Sequence, residues 1–206
     1  MTTSPADAAP LVVLASKSAA RAAMLSGAGV VFGIDSADVD EAGARDFLGG
    51  ENADIASATI TLAGLKATTV AARHPGALVI GADQILACDG RWFDKPADRA
   101  PGRSHLLALR GREHRLFSGV CLVCDGATLW TCADQAVLTM RSFSDEFLDA
   151  YLADAGEGIL GCVGAYQLEG LGAQLFSAVE GDYFTVLGLP LLPLLEALRG
   201  HGVIVQ

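Results

Sequence analysis

The sequence predicts an α/β fold, and three stretches carry that prediction. Leu11-Val12-Val13-Leu14-Ala15 is a short apolar run that breaks at Ser16-Lys17-Ser18 into a segment of helical composition. Asp54 to Arg73 reads as a long helix, stopped by His74-Pro75-Gly76 and followed at once by the apolar run Leu78-Val79-Ile80. Glu113 to Cys124 and Thr128 to Met140 are long strand-like runs joined at Asp125-Gly126, a strong hairpin signal.

In chain order, residues 1–10 read as a loose tail, and 11–206 as a single domain. The first strand leads through Ser16-Lys17-Ser18 to a helix over Ala19 to Ala28, ended by Gly29. A serine at that turn can cap the helix, and the free N–H groups of a helix start attract an anion. Arg21 shares a helix face with Met24 and Leu25. Two readings stand here. One is a capping serine beside an arginine that stretches its charge to solvent. The other is a phosphate cradle made of Ser16, Ser18, Lys17 or Arg21 and the helix N-terminus. The P-loop pattern is absent.

Val30 to Ile34 reads as a strand that runs into Asp35-Ser36-Ala37-Asp38-Val39-Asp40-Glu41. Most of these acids suit a solvated loop; at least one suits a hard-metal ligand, since magnesium sites use one or two carboxylates plus phosphate oxygens. Gly43 to Asn52 reads as a loop. In the long helix, Ile55, Ala58, Leu62 and Leu65 mark an apolar stripe with Lys66 at its edge, a position that gives Lys66 no special weight.

The apolar run from Leu78 then delivers one carboxylate, Asp83, and one amide, Gln84, before Ile85 and Leu86 resume it. An unpaired carboxylate in a buried strand is costly. Asp83 is therefore either a strand-end residue that caps a turn, or a catalytic or metal-binding acid at the mouth of a cleft. Asp89-Gly90 forms a hairpin that returns Lys95, held extended by Pro96, towards Asp83. Ser104 to Arg110 reads as a short helix. Ser144 caps another helix that runs to about Ala155, with acids in its first turn. Gly161 to Gly172 is glycine-rich without a dinucleotide fingerprint, which suits close backbone approach. Gly181 to Pro190 reads as a turn, a strand and a helix start, the helix ends at Gly200, and Val203 to Val205 suits a short strand.

Composition narrows the function. The formal net charge is -10 and aromatic content is 6%. That argues against a polymeric nucleic acid as partner, which needs a basic face or a stacking platform. The five cysteines show no zinc spacing; Cys121 and Cys124 fall on opposite faces of a strand. They suit reduced, mostly buried side chains. No secretory signal or membrane-length run is present, so no membrane partner and a cytoplasmic location are expected. G-x-S-x-G and H-E-x-x-H are both missing.

Four pieces in order resemble the Maf family of nucleoside triphosphate pyrophosphatases. They are Leu14-Ala15-Ser16-Lys17-Ser18-Ala19-Ala20-Arg21, Asp38-Val39-Asp40-Glu41, Gly81-Ala82-Asp83-Gln84, and Gly181-Asp182-Tyr183 with Gly188-Leu189-Pro190. Lys66-Ala67, Lys95-Pro96, Ala165-Tyr166 and Glu169-Gly170 extend the likeness over Leu11 to Arg199. The resemblance implies an elongated central mixed sheet flanked by helices, like that of inosine-triphosphate pyrophosphatases, with two lobes around a cleft. It implies hydrolysis of a nucleoside triphosphate to monophosphate and pyrophosphate with a divalent metal, magnesium or manganese. It also implies a homodimer, and links to nucleotide-pool cleaning and to septum formation. By the same resemblance Ser16, Ser18, Arg21, Lys66 and Lys95 would bind phosphate. Glu41 would bind metal, and Asp83 would accept a proton or share the metal. The turn departs from the family's commoner S-x-S-P-R-R, since Ala19 and Ala20 stand for the proline and first arginine. Lys17 is the nearest substitute for the lost charge.

Gln84 and Glu169 are the candidates for base recognition, and in both the chain looks more like the 7-methyl-GTP pyrophosphatase branch. Guanine offers adjacent N1–H and N2–H₂ donors that one carboxylate can accept, whereas thymine and uracil place one N–H between acceptors. A methylated guanine also carries positive charge. The expectation is a guanine-type or modified base, against dTTP or UTP. A nucleotide-binding regulator of septum formation and a terminal phosphatase are the competing functions.

Overall fold

The computed structural model describes residues 11–49 and 54–205. The expected N-terminal tail and the end of the Gly43 to Asn52 segment lie outside the described residues. The elements are β1 (Val12–Leu14), α1 (Ala19–Gly27), β2 (Gly33–Ile34), α2 (Glu41–Leu48), α3 (Ile55–Ala71), β3 (Leu78–Cys88), β4 (Arg91–Phe93) and α4 (Arg99–Leu109). They continue with β5 (Glu113–Cys124), β6 (Ala127–Met140), α5 (Asp145–Asp154), β7 (Phe176–Glu180), α6 (Tyr183–Val186) and α7 (Leu191–Gly200). Three short 3-10 turns lie between α5 and β7.

The seven strands form one mixed sheet, ordered β2-β1-β3-β5-β6-β7, with β4 paired to β3. β1 runs parallel to β2 and β3, whereas β3, β5, β6 and β7 pair antiparallel. This is the mixed α/β sheet that the motifs imply. Strand alternation divides the core. Val12, Leu14, Leu78 and Ile80 pack on one face with Leu25 of α1 and Leu191, Leu194 and Leu198 of α7. Val13, Val79 and Cys121 pack on the other with Ala63, Ala67 and Val70 of α3. At the far ends of β3, β5 and β6, a separate core gathers Leu86, Leu116 and Leu138 with residues of α4, α5 and the 3-10 turns. The cleft opens between these two ends.

Several expectations need correction. Gly43 to Asn52 is not a loop at its start: Asp40 accepts a hydrogen bond from the Gly43 N–H and caps α2. The stripe of α3 is Ala58, Thr59, Leu62, Ala63, Lys66, Ala67, Val70 and Ala71, while Leu65 is 42% exposed. Lys66 therefore belongs to the buried face. The helix expected from Ser104 begins at Arg99, capped by Asp98. Of Val30 to Ile34, only Gly33–Ile34 pairs as a strand. After Gly181 the chain forms the helical turn α6, because Asp182 caps it by accepting from the Thr185 N–H at 2.9 Å. The strand of this region is the preceding Phe176–Glu180, and Val203 to Val205 is not a strand.

Candidate active site

The serine turn after β1 is built as a cap. Ser18 accepts from the Arg21 N–H at 3.4 Å, and Ser16 Oγ accepts from the Ser18 N–H at 3.2 Å. Arg21, 8% exposed, donates to Ser16 Oγ at 3.1 Å, the Ala82 carbonyl at 3.0 Å and the Gly188 carbonyl at 2.8 Å. All three partners are neutral. Burial lowers the Arg21 pKa from the ordinary arginine value, with the more distant charges of Asp83 and Glu41 opposing. The guanidinium is thus a buried positive charge whose direct hydrogen-bond partners are all neutral.

Asp83 stands on β3 opposite Gly119 of β5. Two glycines bring α3 onto it. A Cβ at Gly81 would lie 2.0 Å from the Ala63 carbonyl oxygen, and one at Gly119 would lie 2.6 Å from the Thr59 backbone. Helix and sheet therefore touch backbone to backbone, and Lys66 reaches Asp83 Oδ1 at 2.7 Å. The same ammonium holds Glu41 Oε2 at 2.9 Å. Arg45 of α2 takes the other Asp83 oxygen, Oδ2, at 2.9 Å, and also Asp94 at 3.2 Å. The charge order is Glu41, Lys66, Asp83, Arg45, Asp94, alternating in sign throughout. A carboxylate has about four lone-pair sites, so Asp83 keeps room for a water or an ion.

Lys95 is exposed at the cleft mouth as a residue, yet its ammonium lies among protein atoms. That desolvation, aided by the Arg21 charge, lowers its pKa. Among the described residues neither Arg21 nor Lys95 has an ion-pair partner; the acids pair with Lys66 and Arg45 instead. Ser16, Lys17, Ser18, Arg21, Glu41, Lys66, Lys95 and Glu169 line one space of about 410 Å³. An adjoining recess is lined by Arg45, Asp83, Gln84, Tyr166 and Val186. The structure thus brings every residue singled out in the sequence to one cleft.

The two base-recognition candidates differ in setting. Gln84 Nε2 donates to Ser118 Oγ at 3.1 Å and to the Thr185 and Val186 carbonyls at 3.2 and 3.0 Å. Its amide nitrogen is spent on anchoring α6 to the sheet, so only Oε1 is left to meet a ligand. Glu169 is exposed at the rim. Sequence reasoning missed Arg45 and Asp94. No motif marks them, and Arg45 sits where a loop was expected.

Among the described residues no three His, Cys, Asp or Glu side chains are grouped to hold an ion. The donor set still fits a hard divalent cation. Glu41 and Asp83 converge on one point, which the Lys66 ammonium now approaches, and magnesium is commonly held by one or two carboxylates with substrate phosphates completing its shell.

A mixed α/β sheet with cations and carboxylates facing one cleft defines an α/β protein built to receive a small anion. The particular family follows from comparison: residues 11–201 match the Maf-like protein family, and the chain belongs to it. It is 56% identical over 193 residues to a nucleoside triphosphate pyrophosphatase of Paramagnetospirillum magneticum, covering 94% of this chain and 100% of that one. It is 46% identical over 195 residues to a 7-methyl-GTP pyrophosphatase of Rhizobium etli, covering 95% and 98%. A nucleoside triphosphate pyrophosphatase of Rhodospirillum rubrum is 51% identical over 197 residues, covering 96% and 98%.

Proposed function

We propose that this protein hydrolyses a nucleoside triphosphate to the monophosphate and pyrophosphate. One observation carries the reading. A molecule of net charge -10 gathers Arg21 and Lys95, both without carboxylate partners among the described residues, beside the doubly held Asp83. The unpaired cations suit a triphosphate, and the acid suits the attacking water. The names of the relatives point the same way.

In this reading Ser16, Ser18 and the start of α1 receive phosphate oxygens with Arg21, while Lys66 and Lys95 offset the charge that grows on the pyrophosphate leaving group. Asp83 orients the water at the α-phosphorus and takes its proton. Magnesium or manganese, held by Glu41 and Asp83, would supply further neutralisation of the phosphates. Glu169 and Gln84 Oε1 are both acceptors, which favours a base that donates, of the guanine or 7-methylguanine type. A cytoplasmic role in nucleotide-pool cleaning, as a homodimer, belongs to the same proposal.

A pyrophosphate-specific assay with metal addition and chelation tests it. Pyrophosphate release that stops on chelation is expected. Orthophosphate as sole product, or binding without turnover, would replace it with a phosphatase or a regulator. Turnover of 7-methyl-GTP and GTP above dTTP and UTP is expected, and the reverse order would refute the base assignment.

A further inference from the structure

Arg45 makes three contacts that no sequence motif assigns. Its Nη2 donates to Asp83 Oδ2 at 2.9 Å and to the Gln84 carbonyl at 3.0 Å, and its Nη1 donates to Asp94 at 3.2 Å. The guanidinium thus ties α2 to β3 and to the residue beside Lys95. Its side chain is 12% exposed, partly buried at the cleft wall, where it faces the same recess as Asp83 and Gln84.

Among the described residues, the helix that carries it has little else to hold it. No residue of α2 is fully buried, and only Ala44 and Leu48 pack against Leu62 and Ile85. Glu41 and Arg45 are four residues apart and so share one face. From that face Glu41 reaches Lys66, and Arg45 reaches Asp83. α2 grips the α3–β3 pair at two points, one of each sign. A planar fork suits this task better than an ammonium, because it serves three acceptors in fixed directions.

We propose that Arg45 is a positioning residue for Asp83. It fixes the orientation of the carboxylate by holding Oδ2, and it seats α2 so that Glu41 reaches the same centre. It acts through Asp83, and the inference rests on the pyrophosphatase reading for its kinetic half. A single lost guanidinium then removes alignment of the attacking water, and leaves the phosphate contacts of Arg21 and Lys95 in place.

The experiment compares wild type, Arg45→Ala and Arg45→Lys. Arg45→Ala is expected to lower kcat at least about thirtyfold with KM changed less than about threefold, since misplaced catalytic groups cost on the order of a hundredfold. Arg45→Lys is expected to recover part of that loss, and added guanidinium ion to recover part of it in Arg45→Ala. Wild-type kcat in Arg45→Ala, or a loss confined to KM, would overturn the positioning role; the second result would make Arg45 a phosphate ligand. Hydrogen exchange on the same proteins needs no turnover. The amides of 41–48 are expected to exchange at least about tenfold faster in Arg45→Ala, the sign of local opening. Unchanged exchange overturns the seating of α2. Absence of pyrophosphate release in wild type overturns the pyrophosphatase reading and the kinetic half with it, and leaves the exchange result to decide the rest.

Discussion

The Lys66 ammonium lies 2.7 Å from Asp83 Oδ1, with both side chains under a tenth exposed. A buried ion pair is weak evidence for stability, because desolvation offsets much of the attraction. Here the pair is extended at both ends by partners from α2, Glu41 on the lysine and Arg45 on the aspartate. Such an arrangement holds the carboxylate in one orientation at the wall of the cleft. That is what a proton acceptor or metal ligand at this position would need.

Asp83→Asn is expected to reduce pyrophosphate release by at least about a hundredfold, the scale of a lost general base. The fold should survive, because Lys66 keeps Glu41 and Arg45 keeps Asp94. Circular dichroism and nucleotide titration of the variant check both halves. Near-normal turnover would remove Asp83 from the chemistry.

Gly81→Ala is expected to damage both stability and activity. The added methyl would meet the Ala63 carbonyl at 2.0 Å and the Ala67 side chain at 2.8 Å, so α3 must move outward. Overpacking of this kind costs about 1–3 kcal/mol. The same movement pulls Lys66 off Asp83. Urea unfolding gives the first effect and steady-state kinetics the second; a variant as stable and active as wild type would show that the helix yields without cost.

Glu169→Gln is expected to lower the preference for 7-methyl-GTP over dTTP by about tenfold, the scale of one charge-assisted hydrogen bond. The exchanged amide can donate to a thymine carbonyl where the carboxylate repels it. The ratio of kcat/KM values for the two nucleotides measures this, and an unchanged ratio would place base recognition elsewhere.

His114 gives the pH dependence of stability. It is 1% exposed, Nε2 meets the Tyr166 hydroxyl at 2.8 Å, and Nδ1 has no partner among the described residues. Burial lowers its pKa from 6.5 to about 4. The unfolded chain therefore binds a proton on acidification before the folded one does. The His114 contribution is complete above pH 6.5 and is lost as the pH falls towards 4, a change of about 3 kcal/mol. Unfolding free energies across that range, compared with His114→Gln, test the sign and the size. A variant with the same slope would assign the acid sensitivity to other groups.

Much of this protein was legible in its sequence because local chemistry settles local structure. Ser18, Asp54 and Ser144 each cap the helix that follows, and Asp-Gly pairs turn both hairpins. The resemblance to the Maf family, carried by short motifs in order, marks Ser16, Ser18, Arg21, Lys66, Asp83 and Lys95 as a set. Packing decided what local pattern could not. Lys66 looked like a stripe-edge lysine, and became a buried one because Gly81 and Gly119 let α3 close onto the sheet. Gln84 looked like a ligand-facing amide, and its nitrogen is spent on two carbonyls and a hydroxyl brought by α6 and β5. Arg45 was invisible: its partners stand 38, 39 and 49 residues away, and no local spacing encodes that meeting. The sequence by itself determined the element types and the stock of charged groups. Only the tertiary structure decided which charges are neutralised, since that depends on distances between segments remote in the chain.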